Sequence, residues 1–374
     1  MKNKIFAILT ILLLLIPATS YAIADSAYEA CVINGVTGDI IYEKNAHERH
    51  SMASTTKIMT AIIALENSNL DDVVTVSNDA AIQEGSSAYI EPGDQIYMRD
   101  MILGLMLNSG NDAAYSIAEY ISGNKEAFAD LMNKYAWDKI GAVDTQFINP
   151  SGLDGEGHYS TAYDLALIMR YALRNQDFRN IIATRTMIAH PLNREGELYF
   201  SNHNKLLDTY DGCIGGKTGY TQKTGRTLVS AAERNGMLFI SATIDDPNDW
   251  DSHRELFDYA FDNCYPKKAI TKNAVVKKAS VDGTSYKFLY AEDFTVPIQK
   301  DKKVELKVVN NISNNLPRPI NAGEKVGWAD IYIGETKIGS VDIISEDEIL
   351  GVSNIRLKNS FFSSFIRAFN LWLM

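Results

Sequence analysis

Three short runs in this chain could together perform one reaction: Ser54-Thr55-Thr56-Lys57, Ser109-Gly110-Asn111 and Lys217-Thr218-Gly219. A serine hydroxyl is a poor nucleophile at neutral pH and needs a base within hydrogen-bond reach. On a helix, residues i and i+3 share a face, so Lys57 reaches Ser54 if Ser54 starts a helix. The N-terminal end of that helix would favour developing negative charge. Lys57 accepts a proton only when neutral, and burial beside a second cation, Lys217, lowers a lysine pKa. Residue types alone leave open which of the two lysines is held neutral. The pattern describes serine acyl transfer with a lysine base.

The other two runs supply the remaining parts. Ser109 is placed to relay a proton between Lys57 and a leaving amine. Asn111 would hold a substrate amide or steady Lys57, with Gly110 permitting a tight turn. Lys217 and Thr218 offer charge and a hydroxyl to a terminal carboxylate. Gly219 lets the backbone come close, and Tyr220 follows. The backbone N–H groups of Ser54 and Tyr220 are the candidates for an oxyanion hole. No cofactor or metal is implied: the six histidines include no His-Glu-x-x-His pair, and no phosphate-binding loop is present. No Gly-x-Ser-x-Gly elbow competes.

These residues need elements to hold them. Residues 57–66 carry Ile58, Ala61, Ile62 and Leu65 at helical spacing. Residues 100–108 and 112–121 read as two helices joined by the Ser-Gly-Asn turn, residues 163–173 as another, and residues 250–265 as a closing helix. Residues 149–155 read as a loop. Residues 31–42 form a hairpin around Thr37-Gly38-Asp39, and residues 227–243 a second around Arg234-Asn235-Gly236. An edge strand at Lys217 would pair with an extended peptide. From residue 266 the composition turns β-rich, with alternation over 304–308 and at Ala329, Ile331 and Ile333, which reads as a small β-sandwich.

Both ends point to a membrane. Lys2 and Lys4 followed by an apolar run and small residues near Ala22 and Ala24 fit a signal peptide over residues 1–24. In the last residues, Phe362, Phe365, Ile366, Phe369, Trp372 and Leu373 recur on one helical face opposite Arg367, which suits a helix over 356–374 lying in a bilayer interface. A net charge of −11 argues against nucleic acid. Cys31, Cys213 and Cys264 make neither a disulfide scaffold nor a metal site.

At the three triplets the chain resembles the D-alanyl-D-alanine carboxypeptidases, the low-molecular-mass penicillin-binding proteins. Ser109-Gly110-Asn111-Asp112-Ala113-Ala114, Asn149-Pro150-Ser151-Gly152-Leu153-Asp154 and Asp211-Gly212 are similar to that family too, as are the export signal, the β-rich tail and the terminal helix. The resemblance implies an α/β (α+β) serine D,D-peptidase/β-lactamase-like domain with a five-stranded antiparallel sheet over residues 25–265, then the β domain over 266–355. It implies that the penultimate D-Ala carbonyl of a peptidoglycan stem peptide acylates Ser54, that terminal D-Ala leaves, and that water releases the acyl group. It implies that β-lactams acylate Ser54. Two departures stand out: Tyr220 occupies a place where many members have histidine, and Asp245-Asp246-Pro247-Asn248-Asp249-Trp250 lies where members often carry a carboxylate-binding arginine, leaving Arg226 or Arg254 as substitutes. A D,D-endopeptidase uses the same residues. A β-lactamase would need a deacylating glutamate, and no Glu-x-x-Leu-Asn run follows Ser109. A wall-binding or penicillin-sensing protein would need a damaged site.

Overall fold

Residues 29–44 fold as the first hairpin, with β1 (Glu29–Asn34) and β2 (Ile40–Lys44) antiparallel. Gly38 sits at φ 84°, and its N–H donates to Asn34 O at 2.8 Å. The computed structural model describes residues 23–351 apart from 25, 282 and 314, together with 355–356. The apolar leader over residues 1–22 and the aromatic terminal helix expected beyond residue 356 lie outside the described residues. Two residues at these borders belong to folded parts. Ala24, read as leader, is fully buried with its N–H on Glu255 Oε2 at 2.9 Å, and Arg356, read as anchor, pairs with Asn315.

The second hairpin joins β4 (Gly225–Arg234) to β5 (Met237–Ile244). Its loop is only Asn235-Gly236, both at positive φ (53° and 74°), which fits the right-handed twist of the strands. Arg234, expected in the turn, pairs with Met237 instead. With β3 (Cys213–Thr221) these strands form the expected five-stranded antiparallel sheet, in the order β2-β1-β5-β4-β3. The Lys-Thr-Gly run therefore lies on an edge strand.

Helices cover both faces. α1 (Lys57–Asn67), α2 (Met98–Leu107), α3 (Asn111–Ser122) and α4 (Ala162–Ala172) build the larger core with one face. α5 (Asp249–Asn263) packs on the other, over Val32, Leu228 and Phe239. α5 ends two residues before the expected limit, because Cys264 already begins the next strand. α1 differs more from expectation. Residues 57–64 are all buried, so it is a central helix rather than an amphipathic one. Its two polar members there are satisfied inside, Thr60 Oγ1 donating to Pro150 O at 2.6 Å and Lys57 as described below. Burying apolar side chains such as Ile58 and Met59 contributes roughly 1.5–3 kcal/mol each.

The β-rich segment folds as expected around its own core of Phe288, Ala329, Ile331, Val341 and Ile343. β6 (Cys264–Ile270) pairs with β9 (Phe294–Gln299). β7 (Val275–Val281), β8 (Thr284–Tyr290), β10 (Leu306–Ile312), β11 (Lys325–Ile333) and β12 (Thr336–Ser345) make a five-stranded sheet in the order β7-β8-β12-β11-β10. Val304 lies outside this sheet, and its carbonyl takes the Lys267 ammonium.

Candidate active site

Ser54 lies in a 3-10 turn, Ala53–Thr56, that runs directly into α1 at Lys57. The tighter 3-10 winding eclipses side chains at i and i+3. Lys57 Nζ consequently reaches Ser54 Oγ at 2.9 Å. Ala53 is at φ 47°, a left-handed conformation that non-glycine residues rarely adopt. Two neighbours hold the turn there. The Asn149 side chain caps a loop by accepting from Ser151 N and Gly152 N, and this loop presses Gly152 against the Ala53 carbonyl. Buried His158 accepts from Ile148 N at Nδ1, which leaves Nε2–H to donate to Thr56 Oγ1 at 2.9 Å. Burial pushes the His158 pKa down to about 4, in keeping with this neutral ring.

Lys57 is fully buried, and its amine makes two further contacts. Nζ lies 2.7 Å from Asn111 Oδ1 and 2.6 Å from Ser151 O. The Asn111 amide orientation is set by its Nδ2, which donates to Glu84 O. Both neighbours can therefore only accept. An ammonium would donate to both and to Ser54 Oγ, whereas a neutral amine has two N–H groups for them and one lone pair left for the Ser54 hydroxyl. Burial beside a second cation favours the neutral form. Burial, and next the Lys217 ammonium, hold the Lys57 pKa well below the usual lysine range, against an opposing pull from Asp112.

The Ser109-Gly110-Asn111 run joins α2 to α3 as expected, but not for the expected reason. Gly110 has φ −58°, while Ser109 takes the left-handed conformation at φ 61°. Gly110 is needed for space: a Cβ would stand 2.6 Å from Asp112 Oδ1 and 2.8 Å from Ala88 N. Asp112, which the residue chemistry gave no role, is buried and accepts from Ala88 N at 2.8 Å and Ser87 Oγ at 2.6 Å. It thereby locks the loop that carries Ser86 against the turn. The Ser109 hydroxyl makes no hydrogen bond to a described residue and lines the cleft.

The edge strand completes the site. Lys217 is buried with Nζ on Thr218 O at 2.8 Å, and burial pushes its pKa down to about 7. A Cβ on Gly219 would stand 3.0 Å from Ser54 N, so the strand passes directly beside the nucleophile turn. Ser54, Ser109, Thr218, Gly219 and Tyr220 line one cleft of about 360 Å³. Lys57, Lys217 and Asn111 stand beneath its surface. Of the two candidate arginines the structure brings only Arg226 into the cleft, with Asp249 and Trp250. Arg254 lies elsewhere, on Asp251 and Thr209. His203 and Lys205 also line the cleft; no motif had marked them.

The family description D-alanyl-D-alanine carboxypeptidase matches residues 18–248, and that of the penicillin-binding protein 5 C-terminal domain matches residues 265–350. The D-alanyl-D-alanine carboxypeptidase DacF of Bacillus subtilis is 32% identical over 321 residues, 82% of this chain and 81% of DacF. Among solved structures, the carboxypeptidase DacD of Francisella tularensis superposes with a TM-score of 0.62 at 28% identity, over 89% of this chain and 95% of that one. Penicillin-binding protein 5 of Haemophilus influenzae gives a TM-score of 0.63 at 26% identity, over 89% of this chain and 100% of its own.

Proposed function

Since the chain belongs to the D-alanyl-D-alanine carboxypeptidase family of serine hydrolases, we propose that it removes the terminal D-Ala from peptidoglycan stem peptides through an acyl-enzyme on Ser54. Neutral Lys57 takes the Ser54 proton as Oγ attacks the penultimate D-Ala carbonyl. The N–H groups of Ser54 and Tyr220 receive the developing oxyanion, a reading supported by the passage of Gly219 beside Ser54 N. The C–N bond breaks, Ser109 delivers a proton to the departing D-Ala amine, and water then hydrolyses the ester. Lys217 and Thr218 hold the substrate beside the strand edge. β-Lactams enter by the same attack, and their acyl group stays on Ser54.

The observation that carries this reading is the hydrogen-bond set of Lys57: two obligate acceptors and one hydroxyl. Ser54→Ala is expected to abolish D-Ala release from a synthetic stem pentapeptide, read by chromatography of free D-Ala. Release at the wild-type rate would remove Ser54 from the nucleophile role.

The place of action follows from the substrate, which lies outside the cytoplasmic membrane. Among the described residues no helix is long and apolar enough to cross a membrane. We assign attachment to the aromatic face of residues 358–374, which suits interfacial burial. A chain lacking residues 361–374 should move from the membrane pellet to the soluble fraction; unchanged sedimentation with membranes would overturn this assignment.

A further inference from the structure

The catalytic and β domains touch where the two catalytic hairpins meet β9. Asn34 Nδ2 donates to the buried Pro297 O at 2.8 Å, and a Cβ on Gly236 would stand 3.1 Å from the Thr295 side chain. Beside this contact the domains part into a groove of about 990 Å³, which shares no lining residue with the Ser54 cleft. Its catalytic wall carries Arg170, in the last turn of α4, and Arg174, four residues on. Half-buried Arg170 directs Nε to Gly35 O at 3.3 Å and one terminal nitrogen to Val36 O. Both partners are uncharged carbonyls, and the other terminal nitrogen has no partner among the described residues. Arg174 is exposed and makes no hydrogen bond or ion pair to a described residue; the Tyr171 ring lies 5.6 Å from its guanidinium carbon. Burial, and next the Arg174 cation, lower the Arg170 pKa against an opposing pull from Tyr163 and Asp39. The C-terminal end of α4 offsets part of this charge, but no described carboxylate pairs with either arginine.

The neighbouring charges of the groove are matched close at hand: Arg179 by Glu233, Asp293 by Lys268 and Lys337 by Asp330. On the β wall Glu292, exposed between β8 and β9, is left without a partner among the described residues. The groove thus sets two unmatched cations against one unmatched anion, and among the described residues no ion pair crosses it. We propose that this groove is a second peptide site, holding an extended peptide with a free carboxylate on Arg170 and Arg174 and a free amine on Glu292. A guanidinium fork matches a carboxylate, and the two signs choose the ligand class. An anion alone would satisfy the arginines and leave Glu292 unmatched, whereas a peptide carries both groups on one chain. The volume lies at the upper end of small-ligand sites and has room for several residues. A stem peptide with a diamino residue and a free C-terminus has this charge pattern. The site is independent of the Ser54 chemistry.

The test is calorimetric titration of the full chain at low salt with L-Ala-γ-D-Glu-L-Lys-D-Ala, its fully acetylated form and orthophosphate. The readout is binding, so the result is separate from D-Ala release. The wild type should bind the free peptide saturably. Arg174→Gln, Glu292→Gln and acetylation of the peptide should each weaken binding by about three- to tenfold, the range of a partly exposed charge pair. Acetylation should add little to Glu292→Gln, because that variant has already lost the partner of the amine. Both residues are exposed, so both variants should melt with the wild type. Unchanged affinity in Arg174→Gln and Glu292→Gln would put the peptide elsewhere and overturn the inference. Orthophosphate binding as tightly as the peptide would reduce the groove to an anion site and overturn it too.

Discussion

Lys57→Arg should lower kcat/KM for D-Ala release by about 10⁴-fold, as much as Lys57→Ala, although it keeps a cation at the same place. The base has to shed its proton, and a guanidinium does not do so in proteins. The Nζ environment disfavours the charged amine, because it is fully buried with the Lys217 cation nearby. In the neutral form Asn111 Oδ1 and Ser151 O each take one N–H, and the lone pair is free to accept from the Ser54 hydroxyl, whose Oγ is 2.9 Å away. The pH profile carries the same sign. Burial and Lys217 depress the Lys57 pKa, so activity is present above that pKa and falls as acid protonates the amine. Lys217→Gln removes one of the two depressing causes. It should move the acid limb of whatever activity remains to higher pH. A Lys57→Arg enzyme with near wild-type kcat/KM would refute the lysine base.

Gly152→Ala is the second large effect, and it is expected at a residue that touches no substrate. Gly152 is at φ 93°, and an added Cβ would stand 1.9 Å from Ala53 O and 2.9 Å from Ser54 N. Backbone has to move, and the backbone in the way carries the nucleophile. Strain and overpacking together should cost about 3 kcal/mol or more, a fall of roughly 6–12 °C in Tm for a domain of this size. Acylation by penicillin should slow as well. Gly123→Ala is the control: it shares the left-handed backbone at φ 80°, but nothing lies within 4 Å of its added Cβ. If both variants melt together, the pressure of the loop on Ala53 is not what holds the turn.

Much of this site was legible because its residues recur at short, local spacings. Ser54 and Lys57 are one turn apart, and Asn235-Gly236 between two apolar runs can hardly be anything but a tight hairpin. The central position of α1 was hidden for a related reason. A run such as Ile58-Met59-Thr60-Ala61-Ile62-Ile63 has an apolar stripe and more, and only packing tells whether the rest is covered. Ser151 contributes a backbone carbonyl to Lys57, and backbone groups leave no residue-type signature. Gly110 was correctly singled out, but its reason, the approach of Asp112 and Ala88, is a tertiary contact. Arg226 could be named from sequence but not chosen over Arg254. The choice depends on the β3–β4 register, which pairs Arg226 with Tyr220, and on where α5 begins.

The most direct test of the central claim is the mass of the intact protein over time after addition of penicillin, with Ser54→Ala beside the wild type. The acyl-enzyme account predicts a long-lived adduct of one penicillin on the wild type, mapped to the peptide containing Ser54, and none on the variant. An equal adduct on Ser54→Ala, or turnover of penicillin with no adduct on the wild type, would contradict it.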